Sequence, residues 1–154
     1  MKILIKNLQK KVKINQRRVT RLLNQLGKIL DIDRVELSIV FVNDRRMKEL
    51  NRVYRSIDRT TDILSFPLYN SVKDIRKGLK TLPGEILLGD IVINLHRTAQ
   101  QARKHGNTFY EELTFLLIHG LLHLIGYDHE VNAYQAGKMR KKELELIDAL
   151  KKMG

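Results

Sequence analysis

Leu113-Thr114-Phe115-Leu116-Leu117-Ile118-His119-Gly120-Leu121-Leu122-His123-Leu124-Ile125-Gly126-Tyr127-Asp128-His129 contains the most apolar run of the chain and three of its five histidines. Leucine, isoleucine and phenylalanine cover almost every face of this run at helical spacing. A helix that is apolar all round belongs at the centre of a molecule. Thr108 and Glu111 ahead of it form a T-x-x-E capping box, in which each side chain accepts the other residue's backbone N–H. Gly126 behind it can take the positive φ that ends a helix. The apolar run from Leu113 to Ile125 is too short to span a membrane and contains two imidazoles. The expectation is a buried central helix.

His119 and His123 are four apart and share a helix face. With Gly126 and His129 they make H-x3-H-x2-G-x2-H, a spacing that lets the chain turn at the glycine and bring the third imidazole back to the other two. Three imidazoles suit a tetrahedral zinc ion with its fourth position open, the layout of a catalytic rather than a structural site. The frame repeats the metzincin ligand pattern H-E-x-x-H-x-x-G-x-x-H. That protease chemistry needs glutamate directly after the first histidine, and here the residue is Gly120. We therefore expect one zinc ion on His119, His123 and His129, and no proteolysis. The competing reading has three histidines satisfied by backbone carbonyls, which leaves their ligand spacing unexplained. The chain has no cysteine, which excludes disulfides and thiolate metal sites.

The 154 residues suffice for one domain, 1–154, with a sizeable core. Lysine and arginine number 29 against 17 acidic residues, a net charge of +12. Such a surface favours a polyanionic partner, nucleic acid ahead of an anionic membrane. Four phenylalanines, five tyrosines and no tryptophan argue against a broad base-stacking platform. The N-terminus lacks the apolar stretch of a signal peptide, so the expectation is a soluble cytoplasmic protein.

Residues 2–6 alternate as a strand. Asn15 caps a helix with Val19, Leu22, Leu23, Leu26, Ile29 and Leu30 at helical spacing and Arg17, Arg18, Arg21 and Lys28 on the other face. Val35 to Phe41 alternates as a strand with one buried face. Asn43 caps a second helix, with Met47, Leu50 and Tyr54 on one side. Asn51 to Pro67 reads as a polar turn feeding a short strand at Ile63 to Phe66. Residues 68–84 have no clear period and are taken as a mobile basic loop. From Ile86 to Asn94 runs either a strand pair or one long strand in which Gly89 marks a bulge or a close backbone approach. Leu95 to His105 is a polar helix stopped by Gly106, and a last helix after His129 turns Leu144, Ile147 and Leu150 inward. His96 and His105 are assigned surface or capping roles. Uneven interleaving of helices and strands gives an α+β fold, a small mixed sheet packed with helices around the histidine helix.

With these motifs together, the chain resembles the YbeY family of bacterial metal-dependent endoribonucleases involved in ribosomal RNA maturation. The family pattern H-G-x-L-H-L-x-G-Y-D-H is matched from His119 to His129. A second signature is matched by Arg55, Asp58 and Thr61-Asp62-Ile63-Leu64-Ser65-Phe66, with Ile63 where valine is usual, and a third by Gly89-Asp90-Ile91. The resemblance implies zinc on His119, His123 and His129, Arg55 facing the metal, and catalytic roles for Arg55, His119 and His123. It also implies single-stranded RNA as substrate, with the small-subunit ribosomal RNA and the small ribosomal subunit as natural targets, and no DNA or membrane partner. Three-histidine zinc can polarise a phosphoryl oxygen or acidify water, and an arginine can fork onto two phosphate oxygens. The general base stays open. Asp128 is assigned to orienting an imidazole, Ser65 either touches substrate or packs, and Arg55 has Asp58 as an alternative ion-pair partner. Two other functions remain open on the residues alone: a non-catalytic RNA-binding ribosome-assembly factor with structural zinc, and a metal-dependent hydrolase of another class.

Overall fold

The computed structural model describes residues 1–153. Their elements run β1 (Lys2–Asn7), α1 (Gln16–Ile29), β2 (Val35–Val42), α2 (Asp44–Arg55), β3 (Ile63–Pro67), α3 (Val72–Thr81), β4 (Ile86–Asn94), α4 (Leu95–His105), α5 (Phe109–Leu124) and α6 (Ala133–Met153). The strands form one sheet in the order β1-β2-β4-β3, parallel throughout except that β3 runs antiparallel to β4. The fold is α+β, as its sequence implies. Among the described residues, no helix is long and apolar enough to cross a membrane.

Local chemistry accounts for where the elements start and stop. The side chains of Asn15, Asn43, Ser71, Asn94 and Thr108 each accept a backbone N–H in the first turn of the following helix. At Thr108 the reciprocal Glu111 bond completes the capping box. Gly106 ends α4 in the left-handed region. In β2, Val35, Leu37, Ile39 and Phe41 are fully buried and alternate with half-buried residues, as one covered face requires. The inner strand β4 is buried on nearly all sides, which is why it reads as an apolar run rather than an alternation. The edges are protected: β1 turns Lys2, Leu4 and Lys6 outward, and β3 ends at Pro67.

One continuous strand spans Ile86 to Asn94, with a bulge against β2 where the register slips between Glu36 and Leu37. Gly89 sits there at φ +141°, and a β-carbon on it would collide with the carbonyl oxygen of Phe66 on β3. Beside it, Ser38 Oγ donates to Asp90 Oδ1 across the β2–β4 pair.

The helix α5 packs against β3 and β4 and against α1, α4 and α6, with Leu113, Leu117, Ile118, Leu121, Leu122 and Leu124 fully or almost fully buried. Gly120 faces the sheet. A β-carbon there would stand 3.0 Å from methyls of Ile63 and of Ile91, so the helix rests closely on β3 and β4 and a side chain would have to push those methyls aside.

Three expectations are corrected. Residues 68–84 are not a mobile loop: Val72 to Thr81 is a helix, capped by Ser71 and anchored by buried Ile75. Gly78 packs on Ile86 and Tyr69. Arg34 closes the end of this helix by donating to the carbonyls of Leu79 and Gly84. The apolar positions Val72, Ile75 and Leu79 do keep helical spacing, but Lys73, Arg76, Lys77 and Gly78 between them hide it. Tyr54 points outward with 65% of its surface exposed, and so does Leu144 with 62% exposed. On α6 the inward stripe is Met139, Leu146, Ile147 and Leu150.

Two glycine substitutions should move stability in opposite directions. Gly89→Ala meets both a positive φ and the Phe66 backbone and should lower the unfolding free energy by about 2–4 kcal/mol. Gly137→Ala lies inside α6 with nothing near its β-carbon and should raise it by about 0.5–1 kcal/mol. Urea unfolding of the two variants checks both signs.

Candidate metal centre and cleft

His119 and His123 project from the last turns of α5, and Gly126 at φ +104° swings the chain so that His129 returns to them. The ligand-capable atoms of the three residues lie within 4.8 Å of one another. Ring centroids are 4.7, 5.0 and 5.1 Å apart, with the planes steeply inclined. His123 Nε2 and His129 Nδ1 approach to 3.1 Å, close to the roughly 3.3 Å that two nitrogens adopt on a tetrahedral zinc with bonds of about 2.0–2.1 Å. The donor set therefore fits a metal ion. The turn is braced from outside, because Gly126 packs on the backbone of Asn70 and Ser71 at the start of α3.

Burial, and then the neighbouring His119 and His129, lower the His123 pKa below the usual imidazole value of 6.5, against a smaller opposing pull from Asp128 and Glu130. The ring is thus held neutral, with a lone pair free for a cation. His119 Nδ1 comes within 3.5 Å of Glu143 Oε1 on α6, a carboxylate placed to fix the orientation of that ring. Sequence reasoning missed Glu143, although its position four residues after Met139 and three before Leu146 puts an acid on the inward stripe of α6.

The three imidazoles open into a cleft of about 290 Å³ lined also by Arg55, Thr61, Asp62, Ile63, Ser65, Asp128 and Glu130. Arg55, His119, His123 and His129 are therefore brought together, and Ser65 lies on the same wall. Arg55 is the last residue of α2, after which Ser56 takes the left-handed conformation at φ +58°. Its guanidinium pairs with Glu130 at 3.7 Å, not with Asp58, and both side chains are about half exposed. Asp128 is corrected as well. Its Oδ1 accepts the backbone N–H of Glu130 at 2.9 Å and shapes the turn, while the carboxylates nearest the three imidazoles are Glu143, 3.5 Å from His119, and Glu130, 3.9 Å from His129.

Two buried asparagines hold the wall that carries Arg55 and Thr61. Asn51 Nδ2 donates to the carbonyl of Arg59 at 2.9 Å. Asn94 Nδ2 donates to Asp44 Oδ1, Thr60 Oγ1 and the Thr61 carbonyl at 2.6, 3.0 and 3.2 Å, while its Oδ1 caps α4. A polar residue closing an apolar strand just before a helix was the available signal for Asn94. The other two histidines lie outside the cleft. His105 Nδ1 meets the buried Glu112 at 2.9 Å from the end of α4. His96, expected in a surface or capping role, is half-buried, and its Nε2 is enclosed without a hydrogen-bond partner among the described residues.

Metal analysis of the purified chain should find one zinc per chain, and none in His119→Ala. Glu143→Ala should weaken zinc binding about 10–100-fold in a chelator competition while leaving the ion bound at saturation. For the metal-free chain the lowered His123 pKa sets the sign of a pH effect. The unfolded imidazole takes up a proton near 6.5, the folded one only at lower pH, so stability is full above 6.5 and drains as pH falls through the folded value. The melting temperature should drop between pH 7.5 and 5.5, and His123→Gln should flatten part of that slope.

Residues 4–151 match the family model described as endoribonuclease YbeY. A curated relative of that name from Thermodesulfovibrio yellowstonii is 44% identical over 115 residues, covering 75% of this chain and 67% of the relative. Another from Caldicellulosiruptor saccharolyticus is 35% identical over 156 residues, covering 97% of this chain and 98% of the relative. The solution structure of TM1509 from Thermotoga maritima superposes with a TM-score of 0.65 at 30% identity, over 96% of this chain and 87% of that one. The chain belongs to the YbeY endoribonuclease family.

Proposed function

We propose that the chain, acting as one domain over residues 1–154, is a zinc-dependent endoribonuclease that cuts single-stranded RNA. We assign it to ribosomal RNA maturation and quality control of the small ribosomal subunit in the cytoplasm. The observation that carries the chemistry is one cleft holding both a convergent three-imidazole set and Arg55. The family membership, whose relatives are named as endoribonucleases, carries the substrate class.

His119, His123 and His129 are the residues that would hold the ion. Bound there, zinc supplies Lewis acidity toward a phosphodiester oxygen and toward the attacking group. Arg55 supplies the charge that follows the phosphate. Its pairing with Glu130 is long and solvent-exposed, a contact worth little in water, so the guanidinium is free to exchange a carboxylate for two non-bridging phosphate oxygens. Charge builds on those oxygens as the bond breaks, which makes a fixed guanidinium more valuable in the transition state than in the ground state. His119 and His123 would act through the metal they hold, His123 with its imidazole kept neutral chiefly by burial. Asp128 and Glu130 line the same cleft and are carboxylates the chain offers for proton transfer.

Gly120 supports this reading over peptide hydrolysis. The protease base would have to occupy position 120, where a β-carbon would stand 3.0 Å from methyls of Ile63 and Ile91. Glutamate there would point into the sheet, not the cleft.

The test is cleavage of a single-stranded RNA by zinc-loaded wild type, His119→Ala and Arg55→Ala, each checked for an unchanged melting profile or circular dichroism. Both variants should lose at least about 10²-fold in rate, and zinc chelation should match the loss in His119→Ala. Arg55→Ala should still take up zinc. Full-rate cleavage by both variants would defeat the proposal, as would wild type that binds RNA at every zinc loading without cutting it. That second result would favour an RNA-binding assembly factor.

A further inference from the structure

Two more depressions adjoin the histidine cleft. One, of about 450 Å³, is lined by Asn51, Tyr54, Ile57, Arg59 and Thr60 and shares Arg55, Thr61 and Glu130 with the first. The next, of about 410 Å³, adds Arg97 and Gln101 of α4 and shares Arg59, Thr60 and Thr61 with the second. Thr61 borders all three, so they form one trough from the imidazoles, past the end of α2, to the first turns of α4.

The lining has the chemistry of a single-strand channel. Arg55, Arg59 and Arg97 occur in order along it, and the latter two are exposed, with no ion-pair partner among the described residues. Tyr54 is the aromatic side chain on it. Its ring leans edge-on against Phe66 at 5.3 Å, while 65% of the residue stays exposed. The floor is fixed, because Asn51 and Asn94 pin the Arg59 and Thr61 carbonyls and Thr60 Oγ1. Sites for single strands combine these same parts, a cationic groove that tracks phosphates and an aromatic face on which a base stacks.

We propose that this trough carries the nucleotides on one side of the scissile bond, with a base stacked on Tyr54 and successive phosphates held by Arg59 and Arg97. The inference rests on the reading of the histidine cleft as an RNA-cutting site, and it adds a direction. The strand leaves that cleft across the end of α2 and toward α4.

The test measures binding of a 2′-O-methyl single-stranded oligonucleotide, checked to be intact afterwards, to the zinc-loaded full chain over a range of salt. KM and kcat for an unmodified single-stranded RNA are measured alongside. Arg59→Gln and Arg97→Gln should each reduce the slope of log K against log salt by about 0.7, one phosphate contact apiece, and raise KM with kcat held. Tyr54→Ala should weaken binding roughly five- to 150-fold at unchanged slope, and Tyr54→Phe should restore it. Arg21→Gln, on α1 and lining none of the three depressions, should alter neither slope nor KM. The trough is overturned if Arg21→Gln matches Arg97→Gln, if Tyr54→Phe loses as much as Tyr54→Ala, or if wild type does not bind the oligonucleotide. Should no preparation cut RNA while this binding pattern holds, the trough stands and the nuclease reading falls. If wild type cuts but the arginine variants keep its slope and KM, the nuclease reading stands and the trough falls.

Discussion

The methyls of Ile63 and Ile91 stand 3.0 Å from where a β-carbon on Gly120 would lie, so α5 rests closely on the β3–β4 pair. A larger residue there would have to push those methyls aside. This contact fixes the rotation of α5 about its own axis. With position 120 directed at the sheet, the neighbouring His119 is turned off it, and His123 one turn later follows to the same side. Leu121, Leu122 and Leu124 lock the helix from its remaining faces. The imidazoles of His119 and His123 are therefore aimed by buried packing, and metal binding need not order that pair first.

The rest of the site is hung from that helix by polar contacts rather than by apolar ones. His129 reaches the pair only because Gly126 turns at positive φ against the backbone of Asn70 and Ser71, which gives α3 a structural part in the centre although it contributes none of the three imidazoles. Arg55 depends on a different support. It ends α2 at a left-handed Ser56, and the chain beyond is pinned by Asn51 and Asn94. Asn94 is the more demanding of the two, since one side chain caps α4, reaches the first residue of α2 and holds the approach to β3. A fully buried amide with this many partners is costly to replace, because any substitute leaves several of those groups unpaired.

How much of this was legible in the sequence follows the range of each interaction. The capping box at Thr108, the caps at Asn15 and Asn43, the αL stop at Gly106 and the turn at Gly126 are decided within a few residues, and each was readable there. So was the three-histidine set, because a helix and one turn bring it together. The helix at 72–81 was hidden because only three apolar residues define its inner face, with lysines, an arginine and a glycine between them. Tyr54 and Leu144 mislead in the opposite sense, being apolar residues at plausible inward spacing that stay exposed although Met47 on α2 and Ile147 and Leu150 on α6 face inward. Glu143, Glu130 and the grip of Asn94 on residues 44 and 60–61 depend on contacts between residues 24 to 75 apart in the chain, and no local pattern names those partners.

Gly120 also connects packing to chemistry. A protease of the same ligand frame spends this position on a base and must leave it room beside the metal. Here the position is spent on close packing, so the carboxylates of the cleft come instead from the chain around the imidazoles: Asp62 ahead of β3, and Asp128 and Glu130 in the turn. Those on the turn are tied to other duties, Asp128 to a backbone N–H and Glu130 to Arg55. Catalysis by the proposed function would lean on cations, an ion held by the three imidazoles and the Arg55 guanidinium in the same cleft, rather than on a dedicated base. That balance suits a reaction whose difficulty is the negative charge on a phosphodiester, and it suits a peptide bond poorly.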